Sequence, residues 1–155
     1  MLGRTALLLV ILALLGAVAL KGQTEKAVQV PPVSETRAAD LLAGLSKSVY
    51  TARRTIPVSE NIFVEDGRVL EGSFALTRKE NPTAVAANQT VKVSKVLLLE
   101  KALHIFFADD KCALLILTKD GQGTDSMTLE QLGELARKGV GALFTSKPAP
   151  PKPVT

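Results

Sequence analysis

A chain of 155 residues, 46% hydrophobic and 22% charged, has the composition of one globular domain with extra residues at its ends, which excludes a protein disordered throughout. It has no Trp, one Tyr and five Phe, and its net charge of +4 is scattered beyond pairs such as Arg53-Arg54 and Arg78-Lys79, so it lacks the stacking platform and basic stripe of a nucleic-acid binder. One cysteine, Cys112, leaves no internal disulfide, and the fold must rest on its core.

The first element is an export signal. Arg4 precedes an unbroken apolar run over residues 6–20, and Lys21 follows. The run is 15 residues long, short of the ~20 needed to span a bilayer and matched to the apolar region of a signal peptide. Ala17-Val18-Ala19 supplies the small residues a signal peptidase requires, giving a mature chain that starts at Leu20. The alternative is an uncleaved membrane anchor through residues 6–20. In either case the body of the chain is exported to the periplasm or the extracellular space. Residues 20–33, polar and ending in Pro31-Pro32 before Val33, read as a linker to a single domain over residues 34–145.

A helix is predicted over about residues 35–48, capped by Ser34, with Ala38, Leu41, Leu42, Leu45 and Val49 at helical spacing. Strands follow over about residues 50–118. Asp66-Gly67 predicts a two-residue hairpin turn between Ile62-Phe63-Val64 and Val69-Leu70, because both turn positions need positive φ. The alternation of Leu70, Gly72, Phe74 and Leu76 continues the second strand, which ends at Asn81-Pro82. Asn88-Gln89-Thr90 is a glycosylation acceptor only in a eukaryotic source.

Residues 96–117 hold the chain's one histidine and its one cysteine. Turns at Glu100-Lys101 and Asp109-Asp110 fold this stretch into a three-stranded meander. Val96, Leu98, Leu103, Ile105, Phe107, Cys112, Leu114 and Ile116 then share one apolar face. His104, Phe106, Ala113 and Leu115 lie on the other, with Lys95. A loop one residue longer still leaves His104 and Cys112 roughly 13 Å apart along the strands. They form no metal or proton-transfer pair. Cys112 reads as a small core hydrophobe, and His104 lacks the orienting partner that general-base chemistry requires. The mixed face carrying Lys95, His104 and Phe106 is instead a candidate protein-interaction surface.

The loop Asp120-Gly121-Gln122-Gly123-Thr124-Asp125 lacks the sixth-position glycine and twelfth-position glutamate of a calcium-binding loop, Gln131 standing in the latter place. Thr128 and Gln131 form a capping box that opens a helix over about residues 128–138, with Gly139 or Gly141 as its stop. Residues 146–155 read as a proline-rich disordered tail. The run of short strands closed by a helix, over roughly residues 50–144, resembles the layout of small Src-homology-like or oligonucleotide-binding-like barrels, with no diagnostic motif.

These elements predict an α+β fold, mainly β: a small antiparallel sheet or a partly open barrel with an N-terminal and a C-terminal helix. No catalytic set, cofactor site or metal site is specified. The function expected is that of an exported non-catalytic domain serving another envelope or extracellular protein, with no nucleic acid as partner and contact with a membrane only through an uncleaved N-terminal segment. The alternative is a small exported hydrolase or ligand-binding protein with His104 as its titrating residue.

Overall fold

The structure, a computed structural model, describes residues 33–150. Helix α1 (Val33–Leu45) is followed by strands β1 (Ser48–Ala52), β2 (Ile56–Pro57), β3 (Ser59–Glu65) and β4 (Arg68–Val69), then by helix α2 (Glu71–Glu80). Strands β5 (Thr83–Val85), β6 (Thr90–Val91), β7 (Val93–Leu99), β8 (Ala102–Phe107) and β9 (Cys112–Leu117) lead to two short 3-10 turns, helix α3 (Leu129–Val140) and strand β10 (Phe144–Pro148). The strands make three open sheets, ordered β4-β3-β9-β8-β7, β10-β1-β6 and β2-β5. The open-sheet layout is therefore the one the chain adopts.

The meander has the register read from its turns. Phe107 faces Cys112, Ile105 faces Leu114, Val96 faces Ile105 and Leu98 faces Leu103. The apolar face is buried, with Leu103, Ile105, Phe107, Cys112 and Leu114 all at 0% exposure. Ala38, Leu41 and Leu45 of α1 and Leu132, Ala136 and Val140 of α3 complete this core. Phe107 stacks on Phe144 with ring centroids 4.4 Å apart, and Tyr50 meets both edge-on, so these three rings join the β10-β1-β6 sheet to the larger one.

The Asp66-Gly67 turn is also as expected, with φ of 53° and 75° and Glu65 paired to Arg68. Beyond it the structure corrects the reading. Residues 71–80 are helix α2, not strand. Period-two alternation misled because it competes with helix-end charges, Glu71 in the first turn and Arg78 and Lys79 in the last, each favourable to the helix dipole. Only Phe74 of α2 is buried; Leu76 is 56% exposed. Arg54 holds this helix in place, its guanidinium 4.3 Å from the centre of the Phe74 ring and bonded to both Glu71 carboxylate oxygens at 2.7 and 3.1 Å. That bond keeps the Glu71 carboxyl below its ordinary pKa.

The large sheet is mixed rather than wholly antiparallel, because β3 runs parallel to β9. Ser146 to Pro148, assigned from the sequence to the tail, are the end of β10, where Ser48 faces Pro148 and the Ala149 N–H bonds to the Lys47 carbonyl at 2.9 Å. Residues 151–155 lie outside the described residues. So do the signal-peptide and anchor segments and all of the linker up to Pro32. Among the described residues no helix is long and apolar enough to cross a membrane, and the longest, α1, has 13 residues against the ~20 required. The anchor alternative rests on residues 6–20, outside the described residues to which this finding applies.

Candidate functional site

The three residues singled out from the sequence come together on the outer face of the large sheet. Lys95 on β7 faces Phe106 on β8, and Leu97 faces His104. The Lys95 ammonium lies 4.3 Å from the centre of the Phe106 ring, and the His104 ring lies 4.4 Å from it, centre to centre. Phe106, 5% exposed, stands outside the main core cluster with these two side chains laid against it. The β8–β9 turn steadies this arrangement. Asp110 accepts a 2.7 Å hydrogen bond from the Ser94 hydroxyl and sits 3.8 Å from Lys95 Nζ. Ala108, Asp109 and Asp110 all have positive φ, a cramped path that Asp tolerates better than most residues and that brings the carboxylate back over β7.

His104 Nε2 donates to the main-chain carbonyl of Glu60 at 2.5 Å. Glu60 lies in the irregular stretch of β3 between Ser59 and Ile62, where register against β9 shifts, so the imidazole reaches from β8 to tie down a bulged backbone. With Nε2 carrying the proton, the ring serves as a strut. Cys112 lies on the opposite, core face at 0% exposure, and burial pushes its thiol up to about 12. The two residues are separated by the thickness of the sheet.

Sequence reasoning passed over two features. The first is Leu97 and Leu99, each 40% exposed, which share the outer face with Lys95. Alternation from buried Val96 already placed them there. Among the described residues β7 pairs only with β8, which makes it a seven-residue edge. A groove of about 560 Å³ runs between that edge and α1, lined by Ser34, Glu35, Ala38, Ala39 and Leu42 on the helix side. The second feature is a groove of about 520 Å³ between α1 and α3, which owes its depth to Gly44 and Gly133. Both glycines interrupt helical patterns and carried no signal beyond that.

The loop that invited a calcium reading is a tether. The Thr118 hydroxyl donates to the Gln122 carbonyl at 2.6 Å, and the Thr124 hydroxyl to that of Leu99 at 2.7 Å. The Arg37 guanidinium donates to the carbonyls of Thr124 and Met127, pinning α1 to the same loop. Among the described residues no group of three or more His, Cys, Asp or Glu is placed to hold a metal ion.

The chain matches no protein-family model, no curated protein and no solved structure. The functional reading therefore rests on the edge, the grooves and their chemistry.

Proposed function

We propose that this chain is an exported, non-catalytic domain that binds another envelope or extracellular protein by taking an extended segment of it onto the outer edge of β7. The observation that carries the reading is that edge. β7 ends the large sheet with exposed Leu97 and Leu99, and α1 stands beside it across a groove. Alternate residues of an edge strand turn their N–H and C=O groups outward, and an incoming strand satisfies them while its side chains meet the two leucines. Glu35 and Lys95 line the groove and give it polar marks by which one register is preferred over another. Export is supported by the apolar run over residues 6–20 and the Ala17-Val18-Ala19 site.

The test has two parts. N-terminal sequencing of the product from a secreting host should find Leu20 first, in the soluble exported fraction; a product that keeps Met1 in the cytosol removes the export claim. A photo-crosslinking residue at Leu97 or Leu99 should then capture one defined protein, with no such adduct from Leu76, the equally greasy position on α2. Adducts from either position should vanish when the other leucine is replaced by Glu, while circular dichroism is unchanged. No adduct at the edge, or equal adducts at Leu76, overturns the proposal.

A further inference from the structure

Apart from the β7 edge, we infer a second site: the groove between α1 and α3 takes a small apolar ligand that carries a positive charge. Its floor is made by Leu41, Leu45, Tyr50, Val140 and Phe144, all at most 8% exposed, and its volume of about 520 Å³ falls in the range of about 300–1,000 Å³ usual for small-molecule sites. The Tyr50 hydroxyl is already engaged, donating to the Leu45 carbonyl at 2.6 Å, so the floor offers mainly ring and aliphatic surface.

Two glycines keep the groove open. A Cβ at Gly44 on α1 would meet nothing within 4 Å, and one at Gly133 on α3 would meet only the Arg137 guanidinium, at 3.5 Å. Neither is demanded by backbone conformation or close packing, and each costs its helix up to about 1 kcal/mol relative to alanine. Space is what they provide.

The charge of the walls selects the ligand. Asp40 on α1 and Glu130 on α3 both line the groove, both are exposed, and neither forms an ion pair among the described residues. Arg137 also lines it, but its guanidinium lies 3.5 Å from the Glu134 carboxylate, which offsets its charge. An apolar trough is thus flanked by two carboxylates without an ion-pair partner among the described residues, in a chain whose net charge is +4. An apolar cation gains from both the floor and the walls, whereas an anion of the same shape is repelled.

The experiment compares 4-phenylbutylammonium with 5-phenylpentanoate by titration into the 15N-labelled protein as recovered from the producing cell. The amides of Gly44 and Gly133 should shift saturably, and the ammonium should bind about tenfold more tightly than the carboxylate. Gly44→Leu should fold, fill the groove and abolish the shifts. In the Asp40→Asn/Glu130→Gln variant the preference should shrink to about threefold or less. The inference is overturned if neither probe saturates, if the carboxylate binds as well as the ammonium, or if the shifts survive Gly44→Leu. Should Gly44→Leu fail to fold, the neutralised double variant decides, and an undiminished cation preference in it overturns the inference.

Discussion

Glycine has opposite meanings at two places in this chain, and the difference is measurable. At Gly139 a Cβ would lie 2.5 Å from Ile116 Cδ1, so the missing side chain is what lets α3 settle on β9. Gly139→Ala gains up to about 1 kcal/mol of helix propensity but overpacks a closed core, which costs about 1–3 kcal/mol. The urea midpoint should fall, while Gly44→Ala, with open space around it, should raise it; a rise in both would deny the close contact. Cys112 gives the pH dependence at the same scale. Burial raises its pKa, so the native state holds the thiol proton more tightly than the unfolded chain does. Its contribution is fully present below the unfolded thiol's value of 9.0 and is lost as pH climbs through that value toward about 12. Stability measured in urea should decline across that window, and less steeply in Cys112→Ala. Equal slopes would assign the decline to other groups such as Tyr50, whose pKa burial also raises.

Among the elements, what the sequence disclosed was what is local. The β7–β8–β9 meander could be read residue by residue because each pairing is fixed by a short turn and by which face is apolar, and a slip of one residue would have put Phe107 and Cys112 into water. Helix α3 was equally plain. Its Thr128–Gln131 capping box forms in both directions, at 3.0 Å and 2.8 Å. Thr128→Ala should therefore cost about 1 kcal/mol in thermal or urea unfolding, and a neutral result would show that other contacts fix the helix start. The parallel pairing of β3 with β9 was hidden because some fifty residues separate Phe63 from Leu115, and no turn links them. Helix α2 was hidden because it buries one side chain, Phe74, which sets no helical stripe against the alternation of Leu70, Gly72, Phe74 and Leu76. The candidate site divides the same way. Lys95, His104 and Phe106 could be gathered from the meander alone, whereas both grooves depend on where α1 docks, and nothing in the α1 sequence says which strand it will lie beside.

For the molecule as a whole, the position of α1 decides whether the open edge invites a second copy. The other edge of the large sheet ends in β4, only two residues long, while β7 offers seven, so β7 is the longest edge strand through which two copies could pair. A two-fold axis through such a junction would place the two β7 strands about 4.8 Å apart, and each carries its α1 packed alongside on the same face. Helices pack no closer than about 8 Å, so two copies of α1 brought over one such junction would compete for the space beside the strands. A lone extended segment brings no helix with it and meets no such obstacle. The protein should therefore be monomeric by light scattering at micromolar concentration while the β7 edge stays open to a partner. A dimer that Leu97→Lys dissolves would mean that α1 swings clear of the edge, and the edge would then belong to a second copy of this chain instead of another protein.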